Sequence, residues 1–272
     1  MLRSMYSGVS GMKGFQTKLD VIGNNIANVN TTGFKSSRVM FKDILSQTSS
    51  GASASGEETA GSNAKQIGLG STVASIDTLH LPGSAMTTNN PTDLRLNGDG
   101  FFLVKMTGDQ EVPYLTRAGD FHVDGNRQLV TSDGLFVADS GGGTPIQLND
   151  LTTSFSISQD GTIVQQLSDG SVDNQTKIGV TKVINPEGLE KIGGSLYRAT
   201  VNSGEEGAVN PMEANSTDAG TGAIVAGQLE MSNVDLTGEF TEMIVAQRGF
   251  QANSRIITTS DEVLQEVVNL KR

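Results

Sequence analysis

Apolar residues recur every seven positions at both ends of the chain, whereas apolar and polar positions alternate through the middle. Near the N-terminus Met5, Met12, Leu19 and Ile26 keep that spacing, with Leu2, Val9, Phe15, Ile22 and Val29 beside them. Near the C-terminus Leu236, Met243, Phe250, Ile257 and Leu264 do the same, flanked by Phe240, Ile244, Val263, Val267 and Val268. Such a repeat keeps one seam of a helix turned toward a partner helix over several turns. Both ends are therefore predicted as helices that pair with each other, with copies of themselves, or with both.

The N-terminal helix carries Gly8, Gly11, Gly14 and Gly23 in its interior. Each costs about 1 kcal/mol relative to Ala, so the isolated segment is expected to be largely unfolded. The same glycines allow close backbone approach in a crowded bundle. Asn28 to Gly33 reads as the helix end, with Gly33 suited to a C-cap or turn.

Residues 34–72 read as a connector: a few apolar anchors (Phe34, Val39, Phe41, Ile44, Leu45), then a Ser/Gly/Ala stretch over 49–56. From Val73 onward strand signals dominate. Residues 93–104 alternate on both sides of Asn97-Gly98-Asp99-Gly100, which predicts a hairpin. Further strands are expected over 114–123 and 128–131 around Asp124-Gly125-Asn126, over 155–167 around Asp160-Gly161, and over 177–184. The even spacing of turns points to a compact antiparallel β-domain.

Composition narrows the functional classes. The net charge of -11 argues against nucleic-acid binding, which needs a basic surface to neutralise phosphate. Within 1–42 Arg3, Lys13, Lys18, Lys35, Arg38 and Lys42 face Asp20 alone, a balance of +5. From Asp235 onward six acids meet four bases, a balance of -2, so the two ends attract weakly. There is no cysteine, which excludes disulfides, thiolate catalysis and thiolate-held metals. No run of about 20 apolar residues suits a membrane span. Lys13, Gln16, Lys18 and Asp20 interrupt the stretch a cleavable signal peptide would need.

Catalytic chemistry is not indicated. His80 and His122 are far apart and lack metal-ligand spacing; His122 beside Asp124 has no accompanying nucleophile and reads as a surface strand residue. The Asp-Gly pairs at 99, 124, 133, 160 and 169 lack the calcium-loop pattern and fit ordinary turns. No phosphate-loop glycine motif is present. The expectation is a protein with no catalytic residues, metal or cofactor.

Three stretches carry a family resemblance. Met1-Leu2-Arg3-Ser4-Met5-Tyr6-Ser7-Gly8-Val9-Ser10-Gly11-Met12 and then Leu19 to Lys35, containing Gly23-Asn24-Asn25-Ile26-Ala27-Asn28, resemble the N-terminal signature of bacterial flagellar rod and hook proteins. Leu96-Asn97-Gly98-Asp99-Gly100-Phe101-Phe102 and Tyr114-Leu115-Thr116-Arg117-Ala118-Gly119 resemble their shared β-domain. Gly227 to Leu236 and Glu239 to Arg255 resemble the hook branch specifically, and the ending 256–270 also resembles hook more than distal rod.

That resemblance implies an α+β fold: a mainly antiparallel β central domain, with discontinuous N- and C-terminal helices pairing as a coiled coil. The implied organisation is a helical inner-tube domain (1–33 and 234–272), a connector (34–72) and a β-rich outer domain (73–233). The implied function is a hook subunit that polymerises into a flexible tubular joint, with a distal rod subunit as the alternative. Assembly is expected to use Leu2, Met5, Val9, Met12, Leu19, Ile22, Ile26, Leu236, Phe240, Met243, Ile244, Phe250, Ile257 and Leu264. Implied partners are other copies in a helical homopolymer, distal rod, hook cap and hook–filament junction proteins, and the flagellar type III export apparatus. Neither nucleic acid nor membrane insertion is expected. The implied location is the extracellular flagellum, hook or basal body, reached without a cleaved signal.

Overall fold

The structure, a computed structural model, describes residues 2–54, 60–108, 110, 112–204 and 209–270; the side chain of Leu2 lies outside the described set. The chain forms two compact units interleaved in sequence. One comprises residues 1–27, 37–78 and 235–272, the other 28–36 and 79–234.

The first unit contains α1 (Leu2–Ala27), β1 (Ser37–Asp43), β2 (Ser46–Ser50), β3 (Lys65–Gly68), β4 (Ser71–Thr78) and α2 (Leu236–Asn269). The start of α2 is set by Asp235, whose carboxylate accepts from the Thr237 amide at 3.0 Å, with Glu239 in the positive first turn. Strands β1 and β4 pair antiparallel from Ser37 opposite Thr78 to Asp43 opposite Ser71, with a bulge between Met40 and Phe41. Strands β2 and β3 pair beyond them, Ser46 opposite Gly68. The segment 34–72, expected as a connector, thus carries β1, β2 and β3 and the start of β4 among its described residues. A two-stranded ribbon exposed on both faces has no apolar side to bury, so its sequence carries no alternation to announce it. Of the low-complexity stretch 49–56, residues 55 and 56 lie outside the described residues.

The second unit is built from short strands. The first five are β5 (Ala85–Thr87), β6 (Leu94–Asn97), β7 (Phe101–Lys105), β8 (Tyr114–Thr116) and β9 (Phe121–Val123). Next come β10 (Leu129–Thr131), β11 (Phe136–Val137), β12 (Thr152–Ile157), β13 (Ile163–Leu167) and β14 (Val172–Asp173). The last are β15 (Val180–Thr181), β16 (Glu190–Gly193), β17 (Leu196–Arg198), β18 (Ala223–Ala226) and β19 (Gln228–Glu230). The main sheet runs β16-β17-β8-β7-β11-β10-β9, with β15 also on β7. All five residues of β7 are buried, because it is covered on both faces. Phe101 and Leu103 join one cluster with Leu115, Ala138 and Tyr197; Phe102 joins the larger one with Leu94, Phe121, Leu129 and Val137.

The hairpin expected over 93–104 does not form. β6 pairs with β18, while β7 pairs with β8, β11 and β15. Gly98 and Gly100 sit at φ 122° and 135°, far from the values of a two-residue hairpin turn, and redirect the chain between sheets. A β-carbon at Gly100 would lie 2.9 Å from both Leu96 and Val180 side chains. The hairpins around Asp124-Gly125 and Asp160-Gly161 do form, as β9–β10 and β12–β13. The expected strand over 177–184 shortens to β15.

Residues 28–36 are held in the second unit by a buried ionic knot. The Lys35 ammonium lies 2.5 Å from Glu230 Oε1 and donates to the Leu81 carbonyl at 2.7 Å, and both charged side chains are at most 1% exposed. Arg117 reaches Glu230 Oε2 at 3.3 Å, and the Gly83 amide donates to Oε1 at 3.0 Å. The backbone is stitched alongside: Gly33 N–H to the Glu230 carbonyl at 2.8 Å, and Ser36 N–H to Asn233 Oδ1 at 2.8 Å. Gly33 adopts φ 66°, and a β-carbon there would collide with the Ala118 backbone. Burial pushes the Glu230 carboxyl up, but Arg117 and Lys35 outweigh it and hold the group below its ordinary value. Burial likewise pushes the Lys35 ammonium down, against the pull of Glu230.

Removing one partner of such a cluster leaves uncompensated buried charge. Glu230→Gln is expected to cost the second unit about 3–5 kcal/mol in urea unfolding at neutral pH. Because the folded carboxyl titrates below its ordinary value of 4.5, its contribution is complete above that pH and is lost as pH falls. The gap between parent and variant should therefore close on acidification; a gap independent of pH would contradict this account.

Candidate self-assembly surface

Helices α1 and α2 pack antiparallel along a seam of small and polar residues. On α1 the seam runs through Ser4, Gly8, Gly11, Phe15, Lys18, Ile22 and Asn25, steps of four and three residues; on α2 it runs back through Ser260, Asn253, Gly249, Ala246, Glu242 and Glu239. At one end the Ser4 and Ser260 hydroxyls are 3.5 Å apart. A β-carbon at Gly8 would sit 3.4 Å from both the Asn253 carbonyl and Ile257 Cγ1, and one at Gly11 would sit 3.0 Å from Asn253 Nδ2. Phe15 lies over Gly249, where a β-carbon would be 2.6 Å from its ring. Lys18 pairs with Glu242. Asn25 closes the other end: its amide donates to Glu239 Oε1 at 2.9 Å and to the Ser37 carbonyl at 2.8 Å, while its oxygen accepts from Ser37 N–H at 3.0 Å.

A second face of α1 uses its small residues against the β-ribbon of the same unit. A β-carbon at Gly14 would lie 2.8 Å from the Phe41 ring, and Ser7 and Ser10 lie against Gly70. The interior glycines Gly8, Gly11 and Gly14 are thus close-approach points, whereas a β-carbon at Gly23 would enter open space.

Most of the apolar heptad positions fall beside this seam, and Ile257 falls in it. Of the residues expected to drive assembly, Ile22 is buried, at 4% exposed, and Ile257 faces Gly8. Met5, Met12, Leu19 and Ile26 form the adjoining flank of α1 and are half-buried, as are Met243 and Leu264 on α2. Val9, Leu236, Phe240, Ile244 and Phe250 are exposed, Ile244 reaching 60%. Leu236, Phe240 and Ile244 follow at intervals of four, one open apolar stripe along α2. The seven-residue reading missed the seam because it tracked large apolar side chains. The usable signal was the glycine spacing of 8, 11 and 249 with polar Ser4, Asn25 and Asn253 in phase.

The second unit offers little for catalysis. His122 lies exposed on β9. His80 packs between Phe101 and Tyr197, ring centroids 5.6 and 5.4 Å away, and burial with the nearby Lys35, Lys191 and Arg117 charges pushes it down to about 4. It is neutral at ordinary pH. Among the described residues no group of three or more His, Asp or Glu side chains is placed to hold a metal ion. No helix among them is long and apolar enough to cross a membrane.

Comparisons with known proteins agree on a family. Residues 5–35 match the flagella basal body rod protein family, 95–165 the flagellar hook protein FlgE/F/G D1 domain, and 225–270 the flagellar basal body rod FlgEFG protein C-terminal family. The flagellar basal-body rod protein FlgG of Bacillus subtilis is 56% identical over the full length of both chains. The chain belongs to the flagellar rod and hook family. The FlgG of Borreliella burgdorferi is 36% identical, again over all of both chains. The flagellar hook protein FlgE of that organism is 30% identical over an alignment of 450 residues. A match to a solved structure, the Helicobacter pylori flagellar hook protein FlgE2, covers 62% of this chain and 47% of that one at 17% identity, with a TM-score of 0.24. The chain is thus a structural subunit of the flagellar rod or hook.

The glycines separate two effects that usually travel together. Gly23→Ala, with open space around it, should gain about 1 kcal/mol of helix stability. Gly249→Ala should instead lose about 1–3 kcal/mol through the clash with Phe15. Thermal melts followed by far-ultraviolet circular dichroism read both, and the same sign for the two variants would contradict the close-packed seam.

Proposed function

We propose that this chain is the distal rod subunit of the flagellar basal body, polymerising with its own copies into a tubular helical assembly. The observation that carries the proposal is the placement of the apolar heptads. The contact between α1 and α2 within one molecule uses glycine, serine and asparagine together with Phe15 and Ile257, and leaves Leu236, Phe240, Ile244 and Phe250 exposed. A contiguous apolar stripe of this kind marks an interaction surface, and burial between neighbours contributes at about 25 cal/mol per Å² before the ordering of two helices is discounted. Met5, Val9, Met12, Leu19 and Ile26 on α1, with Met243 and Leu264 on α2, extend that surface in the proposal.

Rod is favoured over the hook expected from the ending of the sequence. The relatives named as rod proteins align at 56% and 36% identity over about the length of this chain, while the FlgE alignment, which also covers all of both chains, is 30% identical and spreads this chain of 272 over 450 positions. In this reading the neighbours are further rod copies, the hook that continues from them, and the cap and junction proteins beyond, with delivery by the flagellar type III export apparatus.

Met243→Glu or Leu19→Glu should prevent polymer from pelleting while leaving urea unfolding of the second unit unchanged. Immunogold labelling of isolated basal bodies should decorate the straight shaft; label confined to the curved segment would return the assignment to the hook.

A further inference from the structure

One cavity in the first unit has the shape and charge of a socket. It measures about 300 Å³ and lies between the end of α1, the start of β1 and the first turns of α2. Val21, Ile22 and Val39 supply its apolar floor, and Lys18, Glu239 and Glu242 its rim together with Arg38. The charges on that rim are unequally satisfied. Lys18 is committed to Glu242, and Arg38 lies 4.0 Å from Asp77 on β4. Glu239 accepts from the neutral amide of Asn25 at 2.9 Å, and Lys18, in contact with Glu242, acts on it only from beyond ion-pair distance. The socket therefore presents an apolar hollow beside a carboxylate that no cation of its own chain contacts among the described residues.

The complementary shape is carried by the opposite end of the same unit. Tyr6 is 72% exposed, an aromatic ring standing in water on the first turns of α1. Arg3 is exposed and precedes it by three residues, so the guanidinium and the ring share one face of the helix. We propose that the Arg3–Tyr6 turn of one copy docks into this socket of a second copy, the Tyr6 ring on Val21, Ile22 and Val39 and the Arg3 guanidinium on Glu239. This rests on the self-assembly reading above and gives it a specific contact. Knob and socket are different patches, so the contact is heterologous and repeats into an open filament instead of closing a dimer. Tyr and Arg are also the residue types that dominate interface energetics when seated in a desolvated pocket. The knob cannot reach its own socket, since Tyr6 and Ile22 are separated by sixteen residues of one helix, about 24 Å at 1.5 Å per residue.

The test places a benzophenone photo-crosslinking residue at Tyr6, which keeps an aromatic group there, irradiates assembled polymer and maps the joined peptides by mass spectrometry. Crosslinks from position 6 to peptides containing residues 18–22, 37–39 or 239–242 of another copy are expected. Crosslinks elsewhere on a copy, or to a different protein, overturn the docking while leaving self-assembly standing. Failure of the unsubstituted chain to polymerise would instead overturn the proposed function. As a second arm without a probe, Tyr6→Ala should raise the critical concentration for assembly about tenfold, and Glu239→Gln should do so while weakening its salt dependence. An unchanged critical concentration in both variants would overturn the docking even if the probe itself blocks assembly.

Discussion

The close approach of α1 to α2 is the constraint on which the helical unit depends. Helices meet at short distance only where side chains are small, and here Gly8, Gly11 and Gly249 occupy points of close contact, with Ala246 fully buried in phase with Gly249. That choice has two consequences. The intramolecular seam contributes modest apolar burial, since glycine and serine have little surface to hide. The large residues one position away on each helix then remain half-buried, as Met12 and Leu19 are, or exposed, as Val9, Phe240 and Phe250 are. A unit constructed this way holds a defined register yet stays incomplete, and incompleteness of that kind favours association.

Polar residues within the seam supply register where apolar ones would supply only adhesion. Asn25 binds Ser37 through both amide atoms and Glu239 through one, so it fixes α1, β1 and α2 at one end. Lys18 with Glu242 and Ser4 with Ser260 do the same further along. A slip by one turn would separate all three contacts at once, as a single buried polar residue does in other helical assemblies.

The second unit has its own fixed point in Lys35, Glu230 and Arg117. It joins two segments that are remote in sequence, 28–36 and 228–233, each only a few residues of chain away from a helix end. A buried ionic cluster is weak evidence for stability, because desolvation offsets much of the attraction. Its value here is that few alternative pairings satisfy all three charges, the Gly83 and Gly33 amides and the Leu81 carbonyl together.

Much of the architecture was legible from residues alone. Seven-residue repeats located α1 and α2, and Asp-Gly turns located the β9–β10 and β12–β13 hairpins, because those features are local and carry their own periodicity. The β2–β3 ribbon was not legible, as strands exposed on both faces need no apolar alternation. Nor was the fate of Asn97-Gly98-Asp99-Gly100, where the turn residues were recognised but the pairing partner, β18 instead of β7, is chosen by long-range packing. Sequence determined that both ends are amphipathic helices with more apolar surface than one partner needs. Only the tertiary structure decided which face each helix spends on the other, because that depends on how near two backbones come, a property of glycines in phase on helices more than two hundred residues apart.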